Sequence, residues 1–285
     1  MPGRETRGDV TSDIRPTTKQ FYTPAPYSRL VRDGEVLVVG VGGLGCLWAL
    51  EAHSGCPDLA ELLLIDADES SFEGASYANC LFLDSGGEGR GAAALPSMAI
   101  HRLMDGMESI SDLLERAEVV ILMAGLGGGM GSGASGELAK MAKQFGSLVL
   151  SVVGLPFAEQ PLRCAIAEEA LPSLEAHSDV CIRVSMERLA WQSRRRKTNW
   201  MLGSGWIGEL VEGLVTTLAS VGRINLDLMD MRAIINKTGN ATLIVGTGSS
   251  ENPSSVVEMA RNSPLNDVSI EGAKGCMIQV EGGPD

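Results

Sequence analysis

The residues of this chain best suited to chemistry are nine in a row, Gly125-Leu126-Gly127-Gly128-Gly129-Met130-Gly131-Ser132-Gly133, of which six are glycine. Such a run lines up unpaired backbone N–H groups, turns through positive φ, and approaches a ligand with no Cβ atoms in the way. The ligand it serves is an anion, a phosphate above all. A second turn, Gly40-Val41-Gly42-Gly43-Leu44-Gly45, has the same character, and Asp66 and Asp68 follow it at a distance that fits a ribose contact. For either acid the competing role is to cap the loop that follows.

Recognisable elements flank these groups. Residues 119–124 form an apolar run of strand length, and Leu138, Met141, Ala142 and Phe145 recur at helical spacing over 137–145. A flexible linker is not pinned in this way between a buried strand and an amphipathic helix. Residues 36–39 read as a buried strand, followed by a helix with Leu47, Leu50 and Glu51 in its first turns, then a strand at 62–65. Residues 69–96 read as a long loop, of the length that is functional or mobile in compact domains. Residues 97–117 are helical with a break at Gly106, 148–153 and 180–184 are strands, and 164–175 is helical. A long helix covers 200–218, packed on more than one side through Ile207, Leu210, Val211, Leu214 and Leu218. Ile234 and Ile235 fit strand or helix, 241–245 a strand, 256–260 a helix, and 275–280 a strand. Strands alternating with helices give an α/β fold, Rossmann-like, with a largely parallel sheet.

Composition narrows the partners. A hydrophobic content of 44% is that of a globular chain able to bury a core, and a net charge of −13 disfavours nucleic acid and anionic membrane as main partners. Cys46, Cys56, Cys80, Cys164, Cys181 and Cys276 show no metal-ligand spacing and read as reduced thiols. No secretory leader opens the chain and no apolar run is long enough to span a membrane, so the expectation is a cytoplasmic protein without membrane insertion. The division expected is a disordered arm at 1–32, a nucleotide-binding domain at 33–221, and a partial C-terminal domain at 222–285. The basic run Arg194-Arg195-Arg196-Lys197 is either a solvated face or a phosphate or partner contact.

Together these stretches resemble the tubulin/FtsZ family, in its FtsZ branch, over about 35–285. Residues 127–133 look like its signature loop GGGTGTG, with Met130 and Ser132 at the threonine positions. Gly42-Gly43-Leu44-Gly45-Cys46 is similar to the first phosphate loop GGGGN, and Gly89-Arg90-Gly91-Ala92 to the loop that senses the γ-phosphate. Pro156-Phe157 with Glu159 and Arg163 resembles the segment PFxFEGxxR, whose glutamate and arginine contact nucleotide in the family. Gly222, Asn225, Asp227 and Asp230 match the acidic-loop pattern GxxNxDxxD, and 262–265 and 272–275 look like its C-terminal SSPLL and GARG stretches. The resemblance implies the tubulin/FtsZ type of fold, with a long central helix leading into an incomplete α+β C-terminal domain. It also implies a GTP- or GDP-binding GTPase that polymerises head to tail with itself, or with another FtsZ, in cell division. The acidic loop of one subunit would complete the site of the next, with Asn225, Asp227 and Asp230 orienting water and Asp227 the candidate ligand for Mg²⁺.

Four positions depart from the family pattern: Met130, Ser204, Met186 and Cys46. Trp200 matches the aromatic that stacks on guanine, but Ser204 occupies the position of the base-reading Asp or Asn. A serine hydroxyl cannot bridge guanine N1–H and N2–H₂ as a carboxylate does. Met186 and Cys46 each stand where the family has asparagine. These changes motivate an alternative, a nucleotide-binding paralogue that does not hydrolyse. A third reading comes from residues 36–68, which also resemble the Rossmann half of ubiquitin-activating-type adenylating enzymes. It leaves the 125–133 loop unexplained and finds no zinc-binding cysteine set.

Overall fold

The computed structural model describes residues 35–83, 95–197, 199, 201, 205–219, 228–235, 246, 248–249, 251–262, 271–276, 278 and 280. Six strands form one sheet: β1 (Val36–Val41), β2 (Glu61–Asp66), β3 (Asn79–Phe82), β4 (Val119–Gly125), β5 (Leu148–Leu155) and β6 (Val180–Ser185). Their order is β3-β2-β1-β4-β5-β6 and every pairing is parallel. The near-continuous Val, Leu, Ile and Met runs of β1 and β4 suit strands buried on both faces, since helices cover a parallel sheet on each side. Period-two alternation divides β1 between two cores. Val36 and Val38 pack with Trp48, Ile207 and Val211, while Leu37, Val39 and Val41 pack with Leu103, Leu138 and Leu174.

The first core lies under α1 (Gly42–Ser54), with α6 (Met186–Arg196), α7 (Trp206–Ala219) and α8 (Leu228–Ile235) around it. The second lies under α2 (Pro96–Gly106), α3 (Ser111–Arg116), α4 (Gly129–Gln144) and α5 (Pro161–His177). A further helix, α9 (Pro253–Arg261), comes later in the chain. The chain runs outward from β1 to β2 and β3, then returns to the other side of β1 as β4. That reversal makes the β1/β4 junction the switch point of the sheet, where ligands of open α/β sheets bind beyond the strand ends. Register brings those ends level, with Val41 opposite Ala124 and Gly125 opposite Gly154.

The parallel α/β reading and the strands at 36–39, 62–65, 119–124, 148–153 and 180–184 agree with the fold. The break at Gly106 also appears, as a 3-10 turn at Met107–Ser109. Some elements differ from expectation. β3 lies within the stretch read as loop, because its four residues are too few to show a period. α4 starts at Gly129, inside the glycine run, where poor helix propensity is overridden by packing. Of the strand expected at 275–280, Gly275, Cys276, Ile278 and Val280 adopt no strand. The expected strand at 241–245 and the arm at 1–32 lie outside the described residues.

Candidate functional site

Both glycine-rich turns become helix N-termini, and the two helices start side by side. A Cβ built on Gly42, whose φ is +72°, would lie 3.2 Å from the backbone nitrogen of Gly131. Neither helix has a side-chain cap or an acid in its first turn. Their first N–H groups and the positive ends of their dipoles therefore face the same region uncompensated, which favours an anion.

The glycines divide by task. A Cβ on Gly131 would sit 2.1 Å from the carbonyl oxygen of Gly125, one on Gly45 2.3 Å from that of Met123, and one on Gly133 2.2 Å from that of Pro96. These three let α4 and α1 close onto β4 and onto the start of α2. Gly127, at φ +91°, lies against the backbone of Arg163 at the start of α5. Gly128 differs, since a Cβ there meets nothing within 4 Å. Gly43 is exposed, and a Cβ built there would lie 3.7 Å from Ser71 Oγ and 3.9 Å from Asp66 Oδ2. Gly128 and Gly43 are thus the places where the two loops open to a ligand, while Gly129 and Met130 form the first turn of α4 between them. The Met130 side chain is buried in the core, leaving its backbone for the loop.

Side chains fix this geometry. Ser132 Oγ accepts a hydrogen bond from the Gly127 N–H at 2.8 Å, and Ser135 Oγ donates to the Gly131 carbonyl at 2.5 Å. Asp66 is buried, accepting from the Ala67 N–H at 2.7 Å and from Ser71 Oγ at 2.5 Å. Burial raises its pKa, an effect that the Ser71 hydrogen bond partly offsets. Asp68 accepts from the N–H and Oγ of Ser70 and caps the short helix at Glu69–Phe72. Both acids therefore have local capping partners, and Asp66 additionally sits close to Gly43.

The other expected site residues are distributed as follows. Leu44 packs partly buried against Gly125. The Cys46 thiol is fully buried, donating to the carbonyls of Gly40 and Ile65, and burial above all pushes its pKa far up. Met186 is likewise buried in the core. Arg163 and Glu159 are exposed, Arg163 in the first turn of α5 and Glu159 in the loop before it. Asp230 is exposed in the first turn of α8, far from these groups along α4. Gly91, Ala92, Trp200, Ser204, Asn225 and Asp227 lie outside the described residues.

Sequence reasoning missed Ser71, which stands in the long loop with no periodic or motif signal. It also missed Arg232, whose Nη2 donates to the carbonyl of Gly146 just past the C-terminal end of α4, at 2.8 Å. A third omission is Trp48, whose Nε1 donates to the Met201 carbonyl at 2.7 Å and ties α1 to the segment before α7. Among the described residues no group of three or more His, Cys, Asp or Glu is placed to hold a metal. Mg²⁺ often keeps several waters and binds through substrate phosphates with one or two carboxylates, so this arrangement is compatible with it.

Comparison with known proteins places the site in context. A family model described as the GTPase domain of the Tubulin/FtsZ family matches residues 35–192. The cell division protein FtsZ 2 of Haloferax volcanii is 32% identical over 270 residues, covering 89% of this chain and 64% of the relative. Its counterpart in Halobacterium salinarum matches equally, at 32% and 89%, over 65% of its own length. The chain thus spans just under two thirds of these relatives. Among solved structures, an empty FtsZ dimer of M. jannaschii superposes with a TM-score of 0.71 at 28% identity, covering 84% of this chain and 71% of that one.

Proposed function

Since this chain belongs to the tubulin/FtsZ family, we propose that it binds GTP or GDP on its paired helix N-termini and polymerises head to tail. In this reading the acidic residues of one copy hydrolyse the nucleotide held by the next. The observation that carries it is the placement of the two half-sites at opposite ends of one helix. The glycine loops cluster at the N-terminus of α4, while Arg232 holds α8, and with it Asp230, to the carbonyl of Gly146 beyond the other end. Sixteen residues of helix separate them, roughly 24 Å at about 1.5 Å per residue. Within one molecule Asp230 does not reach the phosphates, whereas in a head-to-tail stack the acids of one copy would face the loops of the next.

Each group then has a role. The N–H groups at Gly43, Gly128 and Gly129 hold phosphate oxygens, with Gly127, Leu44, Gly45, Gly131, Ser132 and Gly133 fixing the loops and helix ends. Phosphoryl transfer to water depends on positioning and charge stabilisation, which preformed N–H groups supply without reorganisation. Asp227 and Asp230, three residues apart, orient the attacking water, with Asn225 beside them. Mg²⁺, when bound, neutralises phosphate charge, and Asp227 is its proposed protein ligand. Arg163, in the first turn of α5, lies beside Gly127 and offers a cation to the phosphates among the described residues. Trp200 stacks on the base, Ser204 gives a weaker reading of its edge than a carboxylate would, and Gly91 and Ala92 approach the γ-phosphate. The process is cell division, as the names of the relatives indicate, and its proposed place is the cytoplasm. Among the described residues no helix is long and apolar enough to cross a membrane.

A second reading, nucleotide binding without turnover, is favoured by Cys46 and Met186, where apolar burial replaces the family's asparagines. One experiment separates the two. With GTP and Mg²⁺ the chain should form sedimentable polymer and release phosphate, while Asp227→Ala keeps nucleotide binding and loses turnover. Background turnover by a folded, nucleotide-bound wild-type chain would favour the second reading, and rapid hydrolysis by Asp227→Ala would remove the acidic loop from the mechanism.

A further inference from the structure

One side chain of α1 reaches the segment that precedes α7. Trp48 stands in the second turn of α1 and is fully buried. Room for so large a ring comes from Gly154, near the end of β5. A Cβ built on Gly154 would lie 2.9 Å from the outer edge of the Trp48 ring, 3.0 Å from Met186 Sδ and 3.1 Å from Leu44 Cδ2. Leu44 and Trp48 are four residues apart and so share a face of α1. Leu44 also packs on Gly125, which opens the glycine run. The phosphate loop, Leu44 and Trp48 thus form one packed series around the strand ends.

Packing alone asks only for an apolar ring, which Phe would supply. What tryptophan adds is a donor, and a buried indole N–H needs an acceptor. Here that acceptor is the Met201 carbonyl at 2.7 Å, 153 residues away in sequence. The Met201 N–H is taken as well, donating to Asn199 Oδ1 at 3.0 Å. Met201 is 44% exposed, so its placement owes little to burial and much to these bonds of its backbone. Asn199 and Met201 flank Trp200 in sequence, the residue assigned above to the base. We infer that Trp48 is a positioning residue for the nucleoside. Its N–H holds Asn199 and Met201 against the phosphate helix and so fixes the span between the phosphate end of the site and the base end. This role rests on the reading of the glycine loops as the nucleotide's phosphate site. The N–H groups of those loops do not depend on the Trp48 bond, so the two halves of the ligand respond to it separately. A segment held in place before binding spares the ligand the cost of ordering it, and here that gain falls on the nucleoside half.

The test is the affinity of the full chain for GTP and for inorganic tripolyphosphate, measured by isothermal titration calorimetry. The wild type should bind GTP at least about tenfold more tightly than tripolyphosphate, the difference being the nucleoside's share. Trp48→3-benzothienylalanine keeps the two-ring shape and puts sulfur in place of the N–H. It should bind tripolyphosphate within about twofold of wild type and GTP about five- to tenfold more weakly, the worth of one net hydrogen bond. Trp48→Phe should shift the ratio of the two affinities in the same direction. Val211→Ala loosens the same core without touching the bond, and should leave that ratio at its wild-type value. Unchanged GTP affinity in the benzothienyl variant overturns the inference, as does equal weakening toward both ligands, which is what a purely structural Trp48 would give. A Val211→Ala ratio that falls as far as that of the benzothienyl variant overturns it too. A wild type that binds both ligands equally well keeps its phosphate site and overturns the positioning role alone, whereas one that binds neither refutes the nucleotide reading and the role with it.

Discussion

At the scale of single residues, two glycines in the same loop should respond oppositely to one methyl group. Gly131→Ala places a Cβ against a backbone carbonyl that cannot move without dragging β4, so the variant should lose about 2 kcal/mol or more of stability by chemical denaturation. Gly128→Ala meets open space and should keep its stability, yet weaken nucleotide binding measured by fluorescence titration, because the methyl occupies the ligand's side of the loop. Equal effects of the two would mean that Gly128 does not face the ligand. The residue types of the motif do not distinguish these glycines, since the contacts depend on how the run folds back onto Gly125 and on Pro96 of α2 and Arg163 of α5, distant in sequence. Cys46 and Met186 gave no better warning, because a motif position does not say whether its side chain points to the ligand or to the core.

Glu51 makes a separate prediction at this scale. Its Oε2 is buried without a hydrogen-bond partner among the described residues, beside Gly208 of α7. Burial raises its pKa above the ordinary 4.5. A carboxylate raised in the folded state favours the protonated form, so its contribution is fully present below the unfolded value and is lost as pH rises through the folded one. Glu51→Gln should therefore raise the melting temperature at neutral pH, with the gain shrinking as pH falls toward 4.5. A gain that does not change with pH would show that packing rather than ionisation is responsible.

At the scale of elements, five of the six described strands were legible because short apolar runs leave little alternative, while the four-residue β3 was not. The starts of α1 and α4 were less so. Both begin within glycine-rich sequence that disfavours helix, and what holds them is contact with each other and with the strand ends. The attachment of α8 was not legible, since Arg232 and Gly146 are far apart in sequence and belong to no shared motif. Arg232→Ala removes that charge-assisted hydrogen bond, worth about 1.5–3 kcal/mol. The expected result is nucleotide affinity close to wild type with turnover reduced about tenfold or more, because the loops stay formed while α8 loses its fixed position. Loss of affinity together with turnover would mean that α8 supports the glycine loops rather than the acids.

At the scale of the whole molecule, the fold sets the glycine loops and Asp230 apart along the length of α4. The central claim is that turnover needs groups from two copies. Its most direct measurement is phosphate release from an equimolar mixture of two crippled chains. One carries Asp227→Ala/Asp230→Ala and keeps its glycine loops. The other carries Gly128→Trp, which fills the opening of the loop and keeps its acids. Neither alone should hydrolyse GTP, and the mixture should recover turnover, because the intact loops of one chain meet the intact acids of the other. A mixture that stays inactive, with both chains folded and the first still binding nucleotide, would contradict the shared site, as would full turnover by the first chain alone.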